Sequence, residues 1–465
     1  MADRPCFALF GSILLPSHFK CPVHDTPCSL LHHYDTCLRM DLVQTSIASP
    51  EYPPDTLALP GAERLGPLLQ ITENAVRGTI GNNDAIENTG DAYANAGILV
   101  VIMDYLRSSA KTELHYDDSK MYACAAYLYG RLIRNDTLAR IYYEQGHKDP
   151  FKLAISPIDR EKFRLWKEGG LIGNAPKVLA DLFEANIWLV HKILGFSSLL
   201  MYLRSLFLPL LPPAITMFED AYRNAYKSDP LAGEPNYNPS DFFLNRIYKY
   251  REVAAATIES RHAECLLERL SDHSEALKIT MRDLGRLLES GTPAKFDDQG
   301  RIQGVHKFLQ LEGHTALRFS LARAHDRLYP LHQSVVKNAA GFQTRLLGLA
   351  SSDICLQYLV SILNIECGVQ GAALQPRSAA ELFVASIAML QAEDQMSFAA
   401  VMGELSVQLI QAAFSALNDS GHTILPLAPL DHNEVNTLPR TSTGRPVKSL
   451  PPKKLHQASD PKMGR

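Results

Sequence analysis

Apolar residues recur along the chain at the three- and four-residue steps that place them on one face of a helix. In Lys177–Phe207, the residues Leu179, Leu182, Phe183, Ile187 and Val190 share such a face. The stretch Ala92–Leu106, AYANAGILVVIMDYL, is so crowded with apolar residues that it suits a helix buried on most sides. Met121–Tyr143 has the same character, and a second helical block runs from 241 to 418. Alternating runs of β-branched residues between turns are nearly absent. The pattern predicts an all-α protein built from two helical blocks.

What separates the blocks is turn chemistry. Residues 227–240, KSDPLAGEPNYNPS, mark a linker between a first block at 56–226 and the second at 241–418. Residues 1–55 carry scattered prolines and read as a poorly ordered lead. Cys6, Cys21, Cys28 and Cys37 fall in that lead with His24, His32 and His33, but their spacing lacks the second matching half of a zinc knuckle. Beyond 418, prolines return, and residues 436–465 hold seven Lys and Arg against Asp460 alone, a net charge of +6. Such a tail, 419–465, cannot build a core and predicts a flexible basic arm.

Composition narrows the class. With 465 residues, 46% of them apolar and 21% charged, the chain is neither wholly disordered nor collagen-like. Eight cysteines are too dilute for a secreted disulfide scaffold, which points to a reducing, intracellular setting. A net charge of −4 differs from that of a strongly basic nucleic-acid binder. The most apolar stretch, Ile193–Leu211, is interrupted by Arg204 and ended by Pro209, Pro212 and Pro213, short of the about 20 residues a bilayer span needs. No membrane partner is expected.

Two places carry chemistry. In GNNDAIENTGD, residues 81–91, Asp84, Glu87 and Asp91 stand at i, i+3 and i+7 and project from one helix face. Gly90 inside that helix costs roughly 1 kcal/mol relative to Ala, which close approach of another helix would offset. In KVLADLFEA, residues 177–185, Asp181 and Glu184 are again one turn apart. A helix that is mostly apolar puts its few charges in a cleft. Carboxylate pairs facing each other across a helix–helix groove suit Mg²⁺, with Mn²⁺ as a substitute.

These segments resemble the ribonuclease III family. DAIENTGDA resembles the family's signature helix, roughly N-E-R-L-E-F-L-G-D. Leu132–Ala139, LIRNDTLA, is similar to its L-V-x-N-x-T-L-A segment, and KVLADLFEA is close to its K-V-L-A-D-x-F-E-A block. Carried over by position, the resemblance implies that Asp84, Asp91, Asp181 and Glu184 bind the metal, with Asp91 and Glu184 central to catalysis and Glu87 in a supporting or interface role. Asp84 stands where the pattern has Glu. Asn88 and Thr89 replace large apolar residues, which puts the packing of this helix in question.

A second, degenerate copy follows. FLQLEGHTALRFSLA, residues 308–322, resembles another signature helix, and RSAAELFVASI, residues 377–387, resembles a second carboxylate block. Its four metal positions then hold Lys307, His314, Glu381 and Val384, a set unable to bind Mg²⁺ through oxygen ligands. His314 reads as a partly buried histidine and Glu312 as helix surface. The first copy is longer between its motifs, with an insertion expected within 107–122 or 145–170. The resemblance implies tandem domains, distantly Dicer-like, that pair within the chain as a pseudo-dimer or between two chains as a homodimer. It implies an Mg²⁺-dependent endoribonuclease on double-stranded or structured RNA, leaving a 5′-phosphate. The alternative is an inactive RNA-binding or assembly protein, such as a mitochondrial ribosomal component. Neither a double-stranded-RNA-binding domain nor a P-loop is visible.

Overall fold

The computed structural model describes residues 83–109, 116–171, 174–227, 260–289, 307–329, 339–363 and 376–419, with short pieces at 72, 74–75, 243, 294–296 and 302–305. The N-terminal lead with its Cys/His group, the linker after Lys227 and the basic tail after Asp419 lie outside the described residues. The first half holds α1 (Asp84–Ser109), α2 (Asp118–Leu132), α3 (Asn135–Glu144), α4 (Pro157–Glu168), α5 (Lys177–Phe207) and α6 (Leu211–Lys227). The second holds α7 (Ser260–Asp272), α8 (Ser274–Thr280), α9 (Arg282–Glu289), α10 (Lys307–Leu328), α11 (Ala339–Ala350), α12 (Asp353–Ile362), α13 (Pro376–Glu393) and α14 (Gln395–Asp419). The protein is all-α. Among the described residues, strand pairing is confined to two small ladders. One is parallel, β1 (Asn74–Ala75) with β2 (Ala154–Ile155); the other is antiparallel, β3 (Ala294–Phe296) with β4 (Ile302–Val305).

Local chemistry sets the helix boundaries. Asp117 caps α2 by accepting from the Lys120 amide, Ser156 caps α4 ahead of Pro157, and Ser352 caps α12. The single helix expected over Met121–Tyr143 is two, broken at Ile133–Arg134, where the Thr137 hydroxyl donates to the Arg131 carbonyl. The α5 helix is broken at Gly195, whose φ of 81° and ψ of 174° are not helical. By length and composition, Lys177–Ala225 and Gln395–Asp419 could each cross a membrane. In this fold α5 buries Val178 through Val190.

In the first half α1 runs along α5, which also packs on α3; in the second, α10 packs on α13, which also packs on α12. Each half has its own apolar core, but the division is incomplete. Phe308, Leu311 and Ala322, on one face of α10, belong to the first core, while Leu317, Leu321 and Ala324 on another face belong to the second. Phe308 stacks on Tyr122 of α2 at 4.3 Å. Phe319 meets Tyr93 of α1 at 5.1 Å and Phe196 of α5 at 5.0 Å. The two halves therefore form one body over the described residues. Between α10 and α13 the described residues hold no counterpart of α4, which lies in the 145–170 stretch where extra length was expected.

Candidate functional site

Helices α1 and α5 touch backbone to backbone at Gly90. A Cβ placed there would lie 1.8 Å from the Glu184 carbonyl oxygen, a distance no side chain tolerates. Glycine at this position is thus a condition of the crossing. Residues one turn from Gly90 on its own face of α1 therefore meet the facing residues of α5 near Glu184. Carboxylate oxygens of Glu87, Asp181 and Glu184 accordingly lie within 4.8 Å of one another, Glu87 half-buried and the other two buried. Asp91 flanks them, and its negative charge reaches Glu184.

The membership differs from the sequence expectation at Glu87, Asp84 and Asp91. Glu87, expected in a supporting role, is in the cluster, and Asp84, expected as a ligand, is not. Asp84 opens α1, two turns from the crossing, where an acid favours the positive helix start. Asp91 also stands apart from the cluster of three. Its Oδ1 accepts from Asn95 at 2.9 Å and its Oδ2 from Arg318 of α10 at 2.6 Å.

Three carboxylates this close repel one another. Burial, with Asp91, Glu87 and Asp181 adding to it, pushes Glu184 well above the ordinary carboxylate range. Burial and Asp181 push Glu87 up to about 7, against the pull of Lys177. The Lys177 ammonium donates to Glu87 at 2.9 Å and to Asp181 at 2.5 Å. Burial pulls that ammonium down, but the two carboxylates outweigh it and hold Lys177 above the ordinary lysine range. Neither Lys177 nor Arg318 figured among the expected site residues. Protonation of Glu184 and Glu87 is one way to relieve this crowding; a divalent cation, which binds the ionised carboxylates, is another.

The second half repeats the crossing without the charges. A Cβ on Gly313 would lie 1.8 Å from the Val384 carbonyl, matching Gly90 and Glu184. His314 follows Gly313 as Asp91 follows Gly90, and Glu381 precedes Val384 as Asp181 precedes Glu184. Val384 is fully buried and Glu381 half-buried; His314 keeps an exposed surface, but its surroundings desolvate the imidazole and pull it below the ordinary histidine range. Lys307 begins α10, and the position one turn before Gly313, equivalent to Glu87, holds Gln310. No carboxylate cluster forms here among the described residues. Glu312 is not plain helix surface: it pairs with Arg107 of α1 at 3.5 Å, and burial pushes its carboxyl up to about 7.

The polar residues that interrupt the expected apolar pattern of α1 form a seam with the second half. Thr89, fully buried, accepts from the Gln343 amide at 2.6 Å, and Asn88 donates to Thr344 at 3.5 Å. No family model, curated protein or solved structure matches the chain.

Proposed function

We propose that the chain is a divalent-cation-dependent endoribonuclease of the ribonuclease III type, hydrolysing phosphodiesters in double-stranded or structured RNA and leaving 5′-phosphates. The observation that carries this reading is the convergence of Glu87, Asp181 and Glu184 at the Gly90 crossing, with Asp91 beside them. An all-oxygen, negatively charged donor set fits Mg²⁺, or Mn²⁺ in its place. Such an ion, when bound there, supplies water activation and neutralises charge developing on a phosphodiester. Glu87, Asp181 and Glu184 would hold it, with Asp91, paired to Arg318, beside them. Lys177 limits the repulsion among the acids until the cation arrives.

The matching Gly313 crossing supports a tandem arrangement in which the second half pairs with the first as an inactive copy. The Thr89–Gln343 contact favours pairing within one chain, since it already joins α1 to α11 of the second half. One equipped site against one empty crossing makes the expected product a nick in one strand. A second reading, an inactive RNA-binding or assembly protein, is favoured by Lys177 and Arg318, which already engage three of the four carboxylates. Strand-specifically labelled duplex RNA, incubated with and without Mg²⁺, decides between them. Mg²⁺-dependent cuts in a single strand, lost in Glu184→Gln, establish the nuclease. RNA retained intact by a folded chain establishes the other.

A further inference from the structure

Cations from both halves of the molecule engage the carboxylates near Gly90. Lys177, on α5 beside the cluster, donates to Glu87 and Asp181. Arg318, on α10 of the second half, donates to Oδ2 of Asp91 at 2.6 Å, and Asn95 donates to Oδ1 at 2.9 Å. The backbone of Arg318 is fixed by its neighbours. Leu317 and Leu321 are buried in the second core and Ala322 in the first, and the Phe319 ring meets Tyr93 and Phe196. Docking of α10 between the two cores is therefore what carries the guanidinium to Asp91. The Arg318 side chain is 55% exposed and that of Asp91 26%, so the pair can open without unpacking either core.

The charge of Asp91 reaches Glu184, so a cation held by the cluster is attracted by Asp91 as well. A carboxylate can accept from several donors, but a dication and a guanidinium on one carboxylate repel each other. Whatever Arg318 takes from the affinity of the site for a cation, the cation takes in equal measure from the Arg318–Asp91 contact. We propose that Arg318 is a restraint by which the second half lowers the affinity of the first half's site for a divalent cation. It keeps Asp91 as its own partner, and a cation that recruits Asp91 opens this contact between the halves. The restraint rests on the cation site proposed above and not on cleavage of RNA. It gives the degenerate copy, which has no carboxylate cluster of its own among the described residues, a part in regulating the equipped one. Were Arg318 instead to aim Asp91 at the cation, its removal would loosen binding, so the sign of the change separates the two roles.

Mn²⁺ titrated into the full-length chain and read by electron spin resonance tests the restraint. Arg318→Met is expected to tighten Mn²⁺ binding about fivefold, the upper range for a partly exposed ion pair. Arg318→Lys, which keeps the charge, is expected to stay within about twofold of the parent chain. Arg323→Met removes a like charge from an exposed position on the same helix and leaves the affinity unchanged. In an Asp91→Asn background the gain from Arg318→Met disappears. A second readout needs no substitution and so does not depend on any variant folding. Modification of Arg318 by phenylglyoxal, located by mass spectrometry, is expected to speed up when Mn²⁺ is added to the parent chain. Looser or unchanged binding in Arg318→Met, a gain that survives in Asp91→Asn, or labelling indifferent to Mn²⁺ overturns the restraint and leaves the cation site standing. No Mn²⁺ bound by any of these chains overturns both. A chain that binds Mn²⁺ more tightly in Arg318→Met but never cuts duplex RNA retains the restraint and loses the nuclease. One that cuts RNA with an Mn²⁺ affinity indifferent to Arg318 does the reverse.

Discussion

At the residue scale the carboxylates near Gly90 differ in what they should contribute. Glu87→Gln and Glu184→Gln are each expected to weaken Mn²⁺ binding by roughly tenfold or more, while Asp84→Asn changes it by less than about threefold. Calorimetry or electron spin resonance with Mn²⁺ reads all three, and an equal loss in Asp84→Asn would restore Asp84 to the ligand set. Proton binding gives a second handle. Glu87 lies at about 7 in the fold against an ordinary 4.5, so the folded chain binds more protons than the unfolded one between those values. Its contribution to stability is complete below about 4.5 and is lost as pH rises through 7. Melting temperatures should fall over that window, recover with Mg²⁺, and lose part of their slope in Glu87→Gln. An unchanged slope in that variant would assign the effect to other groups.

Much of this site was readable in the sequence, because Asp181 and Glu184 sit one turn apart on a helix whose other faces are apolar. The choice between Asp84 and Glu87 was not. Both lie on the face of Asp91, and periodicity alone cannot say how far along that face the partner helix crosses. The crossing falls at Gly90, within a turn of Glu87 and two turns from Asp84. Arg318, separated from Asp91 by 227 positions, left no local signal at all.

At the scale of elements, the two glycine crossings set how closely the main helix pairs approach. Gly90→Ala drives a methyl group into the Glu184 carbonyl and Gly313→Ala drives one into that of Val384. Each is expected to cost about 3 kcal/mol or more, since backbone rather than a flexible side chain must yield. Denaturant titration measures both, and a small loss at Gly313 alone would show that α10 and α13 can separate where α1 and α5 cannot. The long helices were legible from their apolar periodicity. Their interruptions were less so: the break at Ile133–Arg134 depends on Thr137 bonding back to Arg131, and the one at Gly195 on a backbone angle that apolar spacing does not encode. The two ladders are too short to show alternation.

For the whole molecule, the seam between halves combines ring contacts with buried polarity. Lys192 of α5 bonds Asp326 of α10 at 2.8 Å, and Asp326 is 4% exposed. Lys192→Ala leaves that carboxylate in the seam without its cation. The expected cost is about 2 kcal/mol, below that of a fully buried pair because Lys192 is partly exposed. Asp326→Asn in the same chain should restore part of it, and two separate unfolding transitions in either variant would show that the halves are independent after all. The sequence suggested two domains joined by a linker. It could not show that α10 serves two cores, because a helix apolar on several faces looks alike whether those faces meet one partner or two.

The double duty of α10 has a consequence during synthesis. Phe308, Leu311 and Ala322 are translated long after α6 is complete, so the first half emerges from the ribosome with part of its core uncovered. Tyr122 and Tyr93 then wait in the nascent chain without the rings that will cover them, a surface of the kind that chaperones bind and that aggregates readily. Slowing translation between the codons for Lys227 and Phe308 should lower the yield of folded protein, while the same delay placed after Leu328 should not.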